Sequence, residues 1–167
     1  MSNMYKVWFV AVVFAAVLSA VYSYATPSEQ CPGESFEDLR ERIQVTPCGQ
    51  KRCKLPKNSN ITVVFKFTPK KVVKSITNEV FANIAGVPLP FIGVDGTDAC
   101  GDVKRADTQE AVACPLPADQ DYVYTNVFPV QPFYPAVNLR VHWNLKDGKK
   151  SLICFEVPAV ITAGKKN

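Results

Sequence analysis

A long apolar run ahead of six cysteines constrains this chain more than any other feature. Val7 to Val21 is almost entirely Val, Ala, Phe, Trp and Leu, with Lys6 before it and Ser23-Tyr24-Ala25 after it. A positive start, a short apolar stretch and small residues at the cut positions predict a secretory signal peptide over residues 1–25. A membrane-spanning helix needs about 20 apolar residues, more than this run supplies. The mature chain, residues 26–167, is therefore expected in an oxidising compartment, outside the cell or in the endolysosomal lumen.

The mature part has the size of one domain. Its leader carries one lysine and no acid, so the formal charge of +4 falls by one on processing. That is too mild for a nucleic-acid footprint. Lys51 to Lys57, Lys70-Lys71, Lys149-Lys150 and Lys165-Lys166 lie beside turn residues, where solvated loops explain them. All six cysteines fall in the mature chain and read as three disulfides, with about fifteen possible pairings. Spacing favours one of them. Cys48 and Cys53 bracket a tight turn at Gly49, Cys100 and Cys114 close the polar stretch from Gly101 to Ala113, and Cys31 and Cys154 remain. With one histidine and no CxxC pair, no metal site is expected, and nothing signals a cofactor. Asn60-Ile61-Thr62 is the single N-glycosylation sequon.

Hydrophobic periodicity points to strands. Ile61, Val63, Phe65 and Phe67 alternate with Thr62, Val64 and Lys66, and Leu139, Val141, Trp143 and Leu145 alternate with Arg140, His142 and Asn144. Ile76, Val80, Ala82 and Ile84 repeat the pattern less cleanly, with Phe81 out of register. Ile153, Phe155 and Val157, the aromatic run Tyr122 to Val127, and Arg42 to Thr46 supply further strands. A period of two is that of half-buried antiparallel strands. Lys146-Asp147-Gly148 between two strong strands reads as a hairpin, and Glu34 to Glu41 as a short helical turn. The expected fold is all-β, an immunoglobulin-like β-sandwich of two antiparallel sheets with about seven strands.

Catalytic constellations are missing. There is no GxSxG, no glycine-rich phosphate loop and no HExxH. His142 lies on the polar face of its strand and reads as a solvated surface residue; Asp95 and Asp98 fall in a turn, where carboxylates cap backbone. No enzyme is expected. What needs explanation is apolar residue in loops. Gly86-Val87-Pro88-Leu89-Pro90-Phe91-Ile92-Gly93 reads as a loop, and Val127 to Pro135 is a second proline-rich apolar stretch. Proline blocks ladder pairing, so neither belongs in the middle of a sheet. Each is either a plug over the end of the sandwich or the lip of a ligand pocket.

Several motifs in this order, at compatible spacing, resemble one family. They are Val45-Thr46-Pro47-Cys48, Cys53-Lys54-Leu55, Ile61 to Phe65, Gly86 to Phe91, Cys114-Pro115-Leu116, Tyr122-Val123-Tyr124, Tyr134-Pro135, Val141 to Leu145, and Ser151 to Pro158. The chain is similar in these to the Niemann–Pick disease type C protein 2 family, within the ML lipid-recognition domains. The resemblance implies a seven-stranded sandwich whose sheets splay to admit a lipid, and the same three disulfides. It places Phe91, Val130 and Tyr134 at sterol-lining positions. With them the inward faces of the strands, Phe65, Phe67, Val80, Ile84, Leu139, Val141, Trp143 and Phe155, and the loop prolines Pro88 and Pro90, form the expected ligand set.

The expected function is a carrier that binds a sterol or similar hydrophobic lipid and hands it to an anionic membrane surface or an acceptor protein, working as a monomer. The alternative is a carrier of small semiochemicals or fatty acids, a lipid-sensing module of innate immunity, or an interaction module whose packed sandwich engages another protein through its loops and binds no lipid. Two departures from the family pattern bear on the ligand: a longer segment Gly101 to Ala113, and a more charged N-terminal stretch from Cys31 to Arg42.

Overall fold

A computed structural model describes residues 25–164. The leader expected over residues 1–25 lies outside the described residues except for Ala25. Ten strands, one short α-helix and one 3-10 turn at Cys100–Asp102 make up the regular elements of the described residues: β1 (Glu29–Gln30), α1 (Leu39–Arg42), β2 (Ile43–Thr46), β3 (Cys53–Pro56), β4 (Asn60–Phe67), β5 (Thr77–Ile84), β6 (Val87–Pro90), β7 (Val103–Arg105), β8 (Tyr122–Pro129), β9 (Asn138–Asp147) and β10 (Lys150–Thr162).

They form two sheets. One runs β1-β10-β9-β5-β6, with β3 also pairing β10, and the other runs β2-β4-β8-β7. Period two decides which face of each strand is buried. On β4, Ile61, Val63, Phe65 and Phe67 point into the core, and on β9 Leu139, Val141, Trp143 and Leu145 do the same. The long β9–β10 hairpin turns at Gly148, whose φ of 60° suits glycine. Its register sets Trp143 beside Phe155 and Val141 beside Val157. Pairing is antiparallel throughout except at β3, which runs parallel to the end of β10.

Three disulfides join Cys31 to Cys154, Cys48 to Cys53 and Cys100 to Cys114. The first ties the N-terminal segment to β10 across 123 residues. The third closes the long polar segment, which carries β7 on the edge of β8 and buries Val103.

Two local expectations need correction. The first proline stretch is not wholly a loop, because Val87–Pro90 forms the edge strand β6. The Phe91 N–H donates to the Val80 carbonyl, so alternate donors along β6 face β5 while the nitrogens of Pro88 and Pro90 face outward. The outward edge then has no donor to offer another strand, which is how proline coexists with a strand here. His142, in turn, is not a solvated residue. Its ring stacks on Phe81 at 4.2 Å, and its nitrogens lie 3.6 and 3.5 Å from the sulfurs of Cys31 and Cys154. Phe81, out of register in the sequence pattern, faces outward to make that stack. The sulfurs of Cys31 and Cys154, grouped with His142, are bonded to each other in the disulfide.

Candidate functional site: an apolar seam between the sheets

The space between the sheets divides into two halves. At one end, large aromatic side chains fill it. Phe65 lies 4.8 Å from Tyr124, 5.2 Å from Phe155 and 6.2 Å from Trp143 between ring centroids. Phe67 packs on Tyr122 at 5.7 Å further along. At the other end the facing side chains are smaller and mostly aliphatic. Val45, Cys53, Leu55, Ile61, Val63, Val141, Val157 and Ala159, with Phe128, Trp143 and Phe155, enclose an apolar void of about 20 Å³. That is room for about one water molecule, but no polar side chain lines it to hold one. The larger hollows on the surface are of another kind: one of about 660 Å³ is open and edged by Arg42, Lys70, Lys71, Asp147 and Lys150.

A chain of aromatic rings leads from solvent to this seam. Phe133 is exposed and lies 5.1 Å from Tyr134, Tyr134 is 5.9 Å from Phe91, and Phe91 is 5.4 Å from Phe128 on the seam wall. The two proline-rich segments are tied to one another here, because the Ile92 N–H donates to the Tyr134 hydroxyl at 3.3 Å. Val130 is fully buried at the end of β8; its N–H donates to the Ser59 carbonyl and its carbonyl accepts from the Asn58 N–H. Ile92 at 59 % and Phe133 at 65 % exposure leave an apolar rim around the rings.

The sequence-predicted ligand set is distributed over these regions. Val141, Trp143 and Phe155 line the seam, and Phe65 backs Trp143 and Phe155 from the aromatic half. Phe91, Val130 and Tyr134 lie at its mouth. Val80 is buried beside Trp143 in the sheet, Leu139 is buried on β9, Phe67 is at the far end with Tyr122, and Ile84 is half-buried near the β5–β6 edge. Pro88 and Pro90 are exposed and share the outer face with their partners Asn83 and Phe81, away from the space between the sheets. The remaining wall residues were passed over. Ile61 and Val63 belong to the same alternation as Phe65, and Val157 follows Phe155, so the pattern held them. Cys53 and Leu55 on four-residue β3 give no periodic signal.

Asp95 accepts from the Val80 N–H and Asp98 from the Cys100 N–H, so both carboxylates brace turns. Burial pushes the Tyr124 phenol well above its usual range, leaving it a neutral donor to Asn78.

The comparisons with known proteins agree with this architecture. The chain is 35 % identical over 115 residues to the "Ecdysteroid-regulated 16 kDa protein" of Manduca sexta, covering 69 % of this chain and 74 % of that one. It is 32 % identical over 124 residues to "NPC intracellular cholesterol transporter 2" of Mus musculus, covering 74 % of this chain and 77 % of that one. Among solved structures, a Niemann-Pick type C2 protein from the Japanese carpenter ant superposes with a TM-score of 0.61 at 28 % identity, over 72 % of this chain and 89 % of that one. Among the described residues no helix is long and apolar enough to cross a membrane. The family model for the ML domain matches residues 25–161, nearly all of the described β-sandwich, and this chain belongs to that family.

Proposed function

We propose that this protein is a non-enzymatic carrier that takes a sterol or similar hydrophobic lipid between its two sheets and delivers it to a membrane or an acceptor. The observation that carries the reading is the apolar seam in the aliphatic half, closed at its mouth by Phe91, Val130 and Tyr134. Relatives described as intracellular cholesterol transporters support the cargo class.

The seam in its closed state is far smaller than the ligand sites of about 300–1,000 Å³ usual for small molecules. Loading therefore requires the sheets to part along the walls of β2, β3, β4 and β10, where the lining side chains are apolar and mostly small, with the Cys48–Cys53 disulfide holding the end of β2 to β3 as a hinge. A cargo losing about 400 Å² of apolar surface gains roughly 10 kcal/mol at about 25 cal/mol/Å². Association costs of about 4–15 kcal/mol and the parting of the sheets offset much of it. The cargo's polar end would remain at the rim beside the Tyr134 hydroxyl. Since no bond is made, release needs only a membrane or protein that solvates the cargo comparably. Phe91, Val130, Tyr134, Phe65, Val141, Trp143 and Phe155 are the proposed ligand residues, with Phe67, Val80 and Ile84 as their supporting core.

The proposed setting is the extracellular space or the endolysosomal lumen, with the protein a monomer glycosylated at Asn60, which is exposed at the start of β4. Basic clusters would favour an anionic membrane surface; transfer to vesicles should then slow as salt rises. The small closed volume favours a second reading, a carrier of fatty acids or small semiochemicals. Displacement of a fluorescent sterol by a panel of sterols, fatty acids and volatile apolar compounds tests both. Displacement by sterols supports the first reading and displacement by fatty acids alone supports the second. A protein that neither takes up the probe nor retains lipid through native mass spectrometry would refute the carrier.

A further inference from the structure

The aliphatic and aromatic halves meet at Trp143, and one buried polar residue holds that boundary. Asn78 on β5 is 1 % exposed, the one amide placed deep in the aromatic half. Its Oδ1 accepts from the Tyr124 hydroxyl at 2.9 Å and from the Trp143 indole N–H at 3.3 Å, while its Nδ2 donates to the Thr97 hydroxyl at 3.1 Å. Its backbone is tied to the same loop by bonds to Thr97 and Gly96. Trp143 thus turns its only polar atom away from the seam and presents an apolar ring to it.

We infer that Asn78 is a specificity-determining positioning residue: by fixing Trp143 it sets how deep an apolar cargo can reach between the sheets. This rests on the carrier reading above. Apart from Cys53, held in its disulfide to Cys48, side chains on the seam side of Trp143 have no tether, so they yield to a cargo by small shifts. Beyond Trp143, advance of the cargo would strip two donors from a buried carbonyl oxygen, and a buried donor left without a partner is costly. The cargo it selects therefore has a wholly apolar buried end of limited length, with its polar group at the mouth. An alkyl chain that fits gains affinity with each methylene, and one that reaches Trp143 gains no more.

The test is a series of saturated fatty acids from octanoate to stearate, each displacing a fluorescent probe from the full chain. For wild-type protein, affinity should rise about fourfold per added methylene, the equivalent of about 0.8 kcal/mol, up to a chain length where the rise stops. Asn78→Leu releases Trp143, and the stopping length should move outward by about two carbons while the shorter acids bind as before. Trp143→Phe keeps the bonds of Asn78 to Tyr124 and Thr97 but thins the partition, and should shift the limit in the same direction; it decides the matter if Asn78→Leu melts too low to assay. A wild-type limit that neither folded variant moves overturns the inference and leaves the carrier standing. A wild-type protein that binds no acid in the series and takes up no probe overturns the carrier, and the depth limit with it.

Discussion

The two halves of the space between the sheets are built from the same strands yet behave as different materials. On β4, Phe65 and Phe67 face Tyr124 and Tyr122, while Ile61 and Val63 earlier on the same strand face the seam. On β9, Trp143 and Leu145 belong to the full end and Val141 to the open one. Rings interlocked at 4.8–6.2 Å make one end a rigid plug. Short branched side chains facing one another line the other, where the proposed opening would occur. On the carrier reading, a sandwich of this kind keeps its stability at one end and opens at the other without changing fold.

The contrast breaks first under truncation. Phe65→Ala should cost about 3–5 kcal/mol of unfolding free energy, because three aromatic neighbours lose their partner. Leu55→Ala, at the rim of an existing void, should fall near the low end of the range for such changes, about 2 kcal/mol, and should be partly restored by added cargo. Urea melts with and without a sterol measure both; equal losses would erase the distinction. Opening the Cys31–Cys154 disulfide by a double serine substitution should cost about 2–5 kcal/mol, since it staples the N-terminal segment to β10 next to the seam wall at Phe155.

A smaller effect is expected at the mouth. Tyr134→Phe removes the acceptor of the Ile92 N–H and should lower stability by about 0.5–1.5 kcal/mol. Probe entry should quicken, because the two proline segments are no longer tied; an unchanged stopped-flow rate would say that they do not govern access. The smallest effect is at the far polar segment. Hydrogen bonds from Arg105, then from the Thr108 backbone, hold the Asp107 carboxyl at about 2, below its ordinary value of 3.8. A depressed carboxylate stabilises the folded chain above the ordinary value and loses that contribution as pH falls toward about 2. An NMR titration of Asp107 checks this, and Arg105→Ala should raise it only part of the way back, because the Thr108 N–H still donates to the carboxylate.

Most of this comparison is written in the sequence, though not all of it in a form that periodicity reads. Of the strands carrying both halves, β4 and β9 announce themselves by alternation, β10 by the shorter alternation of Ile153, Phe155 and Val157, and β8 by its aromatic run. Strands β1, β3 and β7, of two to four residues, are too short to alternate; long-range pairing with β10 and β8 creates them. β6 was hidden because its prolines read as loop, and only the direction of its donors explains how it pairs. Aromatic side chains dominate the sequence pattern, although Val45, Leu55 and Ile61 supply much of the seam wall. Asn78 reads in sequence as one more polar position on a ragged strand. Its place beside Tyr124 and Trp143 depends on three strands from two sheets, which no local pattern encodes.

Methyl NMR tests the account most directly, by following the aliphatic side chains of both halves as a sterol or fatty acid is added. The methyl signals of Val45, Leu55, Ile61, Val63, Val141 and Val157 should shift together, while those of Ile76, Leu116, Leu145 and Ile153, buried in the described core but off the seam wall, stay put. Shifts confined to exposed Val87, Leu89 and Ile92, with the seam methyls unmoved, would place the cargo on the surface and contradict it.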